Sequence, residues 1–238
     1  MPVDGVKALV FDVFGTVVDW RGSILRELEE LGRRKRIEAD WAAFADAWRG
    51  AYQPSMQRVR SGELPWTKLD DLHRISLDEL LRRFGVDSLA PAEVARLNRV
   101  WHRLSPWPDA VAGLTRLRGR YLLGTLSNGN VSLLADLAKF AGLPWDCILS
   151  AELARHYKPD PEIYRMAAEL LGERPGEVML VAAHNGDLLA ARAEGLRTAF
   201  VARPTEYGPH QSRDFAAEHD FDVVAGDFGD LADRLLGD

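Results

Sequence analysis

One carboxylate at the end of an apolar run, Val10-Phe11-Asp12-Val13-Phe14-Gly15-Thr16, is the strongest chemical signal in the chain. A buried strand that delivers a lone acid into a crevice is a nucleophile's arrangement. The plainer alternative is a turn-forming aspartate close to a glycine. The apolar residues leading into Asp12 favour an acid in a cleft instead. Phe14 can neither ligate Mg²⁺, which takes oxygen donors, nor protonate a leaving alkoxide as a general acid. That disfavours phosphatase chemistry. It leaves open an aspartate attacking carbon, with a leaving group such as halide that needs no proton.

Three further clusters carry usable groups. Ser127-Asn128-Gly129-Asn130, between a strand and a helix, reads as helix capping. The same hydroxyl and amides at a helix N-terminus form an anion site for a carboxylate, and Asn128 could give an N–H to a departing halide. Lys158-Pro159-Asp160-Pro161-Glu162 is a proline-fixed entry to a helix. Pointing inward, Lys158 would keep Asp12 ionised against burial, with Tyr164 nearby. In Ala182-Ala183-His184-Asn185-Gly186-Asp187, Asp187 is either the N-cap of a Leu188–Ala193 helix or an acid that positions water with His184. His184 also has a purely structural reading. Thr16 reads as a cap for the segment after it, and Arg49 has Trp48 and Tyr52 as aromatic neighbours that suit an inward orientation.

These groups need elements to bring them together. Lys7–Phe11 reads as a central strand buried on both faces. From about Arg21 to Leu104 the apolar residues fall at helical spacing, as in Ile24, Leu25, Leu28, Leu31 and again in Leu77, Leu80, Leu81, Phe84. After Pro106 and Pro108, strand-like runs return at Tyr121–Leu126, Cys147–Leu149, Val178–Ala182, Thr198–Ala202 and Val223–Ala225, alternating with helices. Alternation of this kind predicts a parallel sheet with crossover helices. The expected arrangement is an α/β core of residues 1–18 and 105–238 with a helical cap, residues 19–104, inserted after the first strand. Ligands bind at the carboxyl ends of strands in such sheets, so Asp12, Ser127, Asn128, His184 and Asp187 should share one rim. Most of Trp20, Trp41, Trp48, Trp66 and Trp101 read as packing between helices.

Composition narrows the partners. The chain has 238 residues, a net charge of −6 and one cysteine. The acidic balance argues against nucleic acid or an anionic membrane as partner. The lone Cys147 excludes an intrachain disulfide. With no signal-peptide pattern and no apolar run near the roughly 20 residues that cross a bilayer, the expectation is a cytoplasmic protein. Apolar faces in the helical insert are compatible with a homodimer.

In order along the chain, Asp12-Val-Phe-Gly-Thr16, Leu126-Ser127-Asn128-Gly129, Lys158-Pro-x-Pro-x-x-Tyr164 and His184-Asn-x-Asp187 resemble the type II (S)-2-haloacid dehalogenases of the haloacid dehalogenase-like superfamily. Superfamily members that use Mg²⁺ carry a second acid where Phe14 stands. The resemblance implies a Rossmann-like, doubly wound core with a helical cap, no metal or other cofactor, and a short 2-halocarboxylate as substrate with halide as product. It casts Asp12 as nucleophile, Lys158 as its orienting cation, Thr16 and Tyr164 as supporting groups, and Ser127 with nearby amides as the carboxylate site. Asn128 and Arg49 would receive the halide, Val13 and Phe14 would line the substrate pocket, and Asp187 would orient or activate hydrolytic water. Where the family pattern has serine and asparagine before that acid, this chain has Ala182 and His184. His184 therefore stands either as a replacement for an amide donor or as the base. The rival readings are an Mg²⁺-dependent phosphatase with an atypical metal site and a non-catalytic anion-binding protein of the same fold.

Overall fold

The structure, a computed structural model, describes residues 4–237; residues 1–3 and 238 of the expected core segments lie outside the described residues. Six parallel strands form the main sheet: β1 (Ala8–Phe11), β4 (Leu122–Ser127), β5 (Cys147–Ser150), β6 (Val178–Ala182), β7 (Arg197–Val201) and β8 (Val223–Ala225). Their spatial order is β5-β4-β1-β6-β7-β8, so the first strand is central. Ala8 to Phe11 are all buried, as a strand flanked on both sides and covered on both faces requires. The chain runs outward from β1 through β4 to β5, then returns to build on the other side with β6. That reversal opens a crevice at the carboxyl end of β1.

Helices α6 (Ala110–Arg118), α7 (Val131–Ala141), α8 (Ala151–Ala154), α9 (Pro161–Leu171) and α10 (Asn185–Ala193) lie in the crossovers, and α11 (Phe228–Leu236) follows the last strand. The intervening segment is helical: α1 (Trp20–Lys35), α2 (Trp41–Gly50), α3 (Tyr52–Arg60), α4 (Leu69–Arg83) and α5 (Pro91–Asn98), followed by a 3₁₀ turn over Arg99–Arg103. Asp19 and Asp40 start α1 and α2 by accepting backbone N–H groups of Gly22 and Ala43. The apolar spacing read from the sequence is the buried stripe: Ile24, Leu28 and Leu31 on α1, and Leu77, Leu80 and Leu81 on α4.

Two features went unread in the sequence. Residues Val18–Asp19 (β2) and Ser105–Pro106 (β3) pair as a short antiparallel ribbon, so the helical segment leaves and returns through adjacent strands. Two-residue strands, one containing proline, have no period to detect. The core and the helical segment are also pinned to each other. Phe14 meets Trp101 edge-on at 5.8 Å and Tyr52 at 6.4 Å. Asn130 ties the start of α7 to Asp70 on α4, accepting its backbone N–H at 3.2 Å and donating to its carboxylate at 3.0 Å. Among the described residues no helix is long and apolar enough to cross a membrane.

Candidate active site

The crevice at the end of β1 is a cavity of about 370 Å³ between the sheet rim and the helices. Its walls include Asp12, Phe14, Arg49, Tyr52, Asn128, Lys158, Tyr164, His184 and Asp187. Asp12 is 8% exposed, so its carboxylate has traded water for a fixed set of partners. Oδ2 accepts from Thr16 Oγ1 at 2.7 Å and faces His184 Nδ1 at 3.1 Å. Among the described residues Oδ1 has only Lys158 Nζ, at 3.4 Å. Burial pushes the Asp12 carboxyl up, but Lys158 and His184 outweigh it and hold the group well below the usual carboxylate range.

Lys158 is brought inward by its backbone, whose N–H donates to Asn128 Oδ1 at 2.8 Å. Its ammonium bridges the two acids of the rim, donating to Asp187 Oδ2 at 2.6 Å as well as reaching Asp12. Burial lowers the Lys158 pKa, while Asp187 and Asp12 raise it further, so it stays charged. Tyr164 Oη donates to Asp187 Oδ1 at 2.6 Å, so both oxygens of that acid are engaged. Burial and Asp187 push the Tyr164 phenol far above its ordinary value, which keeps it a donor.

His184 lies between two carboxylates. Nδ1 faces Asp12, and Nε2 faces Glu206 Oε2 at 2.9 Å. Burial lowers the imidazole pKa, but Glu206 and Asp12 carry it well above the ordinary value. A base needs a free lone pair, and both ring nitrogens are committed as donors, so of the two readings for His184 the geometry agrees with the donor. Glu206, 1% exposed, was missed in the sequence. Trp20 Nε1 donates to its Oε1 at 3.0 Å and Arg49 Nη2 lies 4.0 Å away. Burial pushes the Glu206 carboxyl up; His184 and Arg49 outweigh it and keep it ionised.

Arg49 points inward, its guanidinium over the Tyr52 ring at 4.2 Å and the Trp20 ring at 5.5 Å. Among the described residues its Nη1 is buried without a hydrogen-bond acceptor, an unmet donor on a cation in the cavity wall.

Several expected residues sit elsewhere. Ser127 is fully buried behind the wall, where its Oγ accepts the Gly129 N–H at 3.2 Å, and it does not line the cavity. Val13 is likewise enclosed, its carbonyl accepting the Val17 and Val18 N–H groups of the turn. Thr16 is no helix cap: besides donating to Asp12 it accepts the Ala183 N–H at 2.9 Å, joining the β1 and β6 ends. The α10 helix begins one turn earlier than expected, at Asn185, so Asp187 lies in its first turn and is not its N-cap. Asn130 occupies the N-cap of α7 without a side-chain cap bond, because its amide is spent on α4.

Mg²⁺ does not fit these residues. An ammonium already bridges Asp12 and Asp187. Phe14 offers no oxygen, and a hard cation that demands near-octahedral oxygens would find too few.

Known proteins resemble this chain over most of its length. The family model for haloacid dehalogenase-like hydrolases matches residues 6–195. A relative from Burkholderia cepacia, "(S)-2-haloacid dehalogenase 4A", is 32% identical over 86% of this chain and 88% of its own length. The crystal structure of the defluorinating L-2-haloacid dehalogenase Rha0230 superposes with a TM-score of 0.95 at 52% identity, over 97% of this chain and 95% of that one. The Xanthobacter autotrophicus L-2-haloacid dehalogenase with chloropropionic acid covalently bound superposes at 0.81 with 25% identity, over 98% of this chain and 99% of that one.

Proposed function

Since the chain belongs to the haloacid dehalogenase-like hydrolases, we propose that it hydrolyses short (S)-2-haloalkanoates to (R)-2-hydroxyalkanoates through an ester on Asp12. The observation that carries this reading is the pairing of an ionised, metal-free-type carboxylate with an unmet buried cation donor in one small cavity. Asp12 Oδ1 attacks C2 opposite the halogen, and the carbon–halogen electron pair leaves as halide. In-line displacement inverts C2. No proton moves in this step, which suits a wall where Phe14 replaces an acid.

Arg49 Nη1, with Asn128, receives the halide, and amides near Asn128 meet the substrate carboxylate. Ser127, behind the wall, accepts the Gly129 N–H and so holds the turn that carries Asn128. Water oriented by Asp187 then attacks the ester carbonyl and restores Asp12. Holding Oδ1 and C2 at near-attack distance can supply on the order of 7–11 kcal/mol of the barrier. In domain terms, residues 1–18 and 105–238 act as the catalytic core and 19–104 as a cap that excludes water. A cytoplasmic homodimer is the working form, on the lone cysteine and the apolar faces of the helical segment.

Chloride release from chloroacetate and from both enantiomers of 2-chloropropionate tests the reading. Asp12→Asn should abolish release, and EDTA should leave the wild-type rate unchanged. Activity of Asp12→Asn near wild type, or phosphate release from an aryl phosphate that requires Mg²⁺, would overturn it. In a single turnover in H₂¹⁸O the label should enter Asp12 before product.

A further inference from the structure

The two oxygens of Asp12 have unlike surroundings, and the difference traces to Glu206. Among the described residues, Oδ2 is held by two donors, Thr16 Oγ1 and His184 Nδ1, whereas Oδ1 has a single long contact with Lys158. The imidazole is oriented from behind by Glu206, which is itself fixed by the Trp20 indole. The backbone is shaped around this contact: Gly15 has φ +86°, and a Cβ there would lie 2.1 Å from Glu206 Oε1. With carboxylates at both ring nitrogens, a neutral imidazole would have to aim a lone pair at one of them.

We infer that Glu206 is a positioning residue that keeps a charged His184 N–H on Asp12 Oδ2, so that Oδ1 is the attacking oxygen and Oδ2 the oxyanion of ester hydrolysis. This rests on the Asp12 ester reading and adds the assignment of its second step. In the first step the Oδ1–C2 bond forms and the C2–halogen bond breaks; Oδ2 becomes the carbonyl oxygen of the ester. Water then adds to Cγ, passing one proton to Asp187, and the Cγ–Oδ2 π pair moves onto Oδ2 between the Thr16 and His184 donors. Collapse breaks Cγ–Oδ1, and the alkoxide product takes the proton from Asp187. The regenerated carboxyl of Asp12 releases the remaining water proton to solvent. His184 stays charged throughout and transfers nothing. Donors preset on a developing oxyanion act mainly on the step that forms it, so Glu206 should matter for hydrolysis much more than for alkylation.

The groups around the ring are Asp12, just after β1, and Glu206 from the loop after β7. Farther along the cavity stand Lys158 before α9, Asp187 on α10, Arg49 on α2, and Tyr207, Arg213 and Asp214 after β7. Glu206 is the acid whose removal leaves the nucleophile's surroundings otherwise intact.

The test is rapid-quench kinetics on wild type, Glu206→Gln and His184→Asn with chloroacetate. First-turnover chloride and the intact-protein mass of the ester are followed across pH. In Glu206→Gln, first-turnover chloride should hold within about threefold while ester hydrolysis slows by about tenfold or more, so that the ester accumulates. Its hydrolysis should fall with rising pH near neutrality, where the wild type stays flat, because the imidazole loses its proton. His184→Asn, with a neutral donor, should abolish that pH dependence and make Glu206→Gln silent in the double variant. Titration of ¹⁵N-labelled histidine should show a ring protonated at neutral pH in wild type and titrating lower in Glu206→Gln, a readout independent of turnover. A wild-type pH profile in Glu206→Gln, or slowed chloride release with no ester, overturns the inference while leaving the Asp12 ester reading standing. No ester on Asp12 in wild type overturns both.

Discussion

At the scale of single residues, the site depends on opposite charges buried at contact distance. Lys158 lies between Asp12 and Asp187 and is 7% exposed. Replacing it with methionine keeps the stem and leaves the buried Asp12 facing Asp187 with no cation between them. Loss of one partner from a buried pair costs about 3–5 kcal/mol. The sign follows from the shifts. The depressed Asp12 carboxyl contributes stability that is present above its unfolded pKa of about 3.9 and lost as pH falls through the lower folded value. Lys158, raised in the fold, contributes below its unfolded pKa of about 10.4 and loses that contribution as pH rises through the folded value. Urea unfolding of Lys158→Met should show the full loss at neutral pH and a smaller one in acid, where the orphaned Asp12 carboxyl protonates. A loss under about 1 kcal/mol at neutral pH would mean a solvated ammonium. Asp12, Lys158, His184 and Asp187 were legible as residues of one rim because each ends a strand or enters a helix beside proline or glycine. Glu206 was not. It lies 22 residues from His184 in a stretch with prolines at 204 and 209 that reads as a surface loop. Its place just after β7 was the available signal, since that strand ends on the same rim.

At the scale of elements, turns hold the partners in register. Gly15 lies in the turn between β1 and β2, in a left-handed conformation and beneath the Glu206 carboxylate. Alanine there costs about 1–2 kcal/mol for the backbone alone. The added methyl is accommodated by swinging Glu206 aside, since a side-chain end yields before backbone does. Gly15→Ala should therefore show that modest loss in chemical denaturation together with the same neutral-pH fall in ester hydrolysis expected of Glu206→Gln. A stability loss with an unchanged pH profile would separate the turn from the imidazole. The sheet strands were legible within a residue or two because burial on both faces forces continuous apolar runs, as in Val178–Ala182, which matches at both ends. Capping was harder to read. Asn130 and Asp187 are residue types that cap helices, yet each is claimed by a tertiary partner, Asp70 for one and Lys158 with Tyr164 for the other. Competition of that kind is decided by packing, which local spacing does not encode.

At the scale of the whole molecule, the cavity exists only because the helical segment is folded over the sheet rim. Arg49, Tyr52 and Gln53 come from that segment, and Asp12, Asn128, Lys158 and His184 from the sheet side. A ligand bridging the two sets is bound by the native fold alone, so its binding energy adds to stability. Asp12→Asn suits the measurement, because it removes the nucleophile and one negative charge that repels an anionic substrate while keeping the side-chain shape. At a hundred times its Kd, (S)-2-chloropropionate should stabilise this variant by about 2.7 kcal/mol. For a chain of this size that is roughly 5–10 °C in Tm. Adding Arg49→Leu should remove most of the shift by deleting the buried cation that the helices contribute, and the (R) enantiomer should give less than the (S). Melting curves of the two variants with each enantiomer decide it. An equal shift with and without Arg49 would place the ligand on the sheet side alone, and the helical segment would then be a roof with no part in recognition.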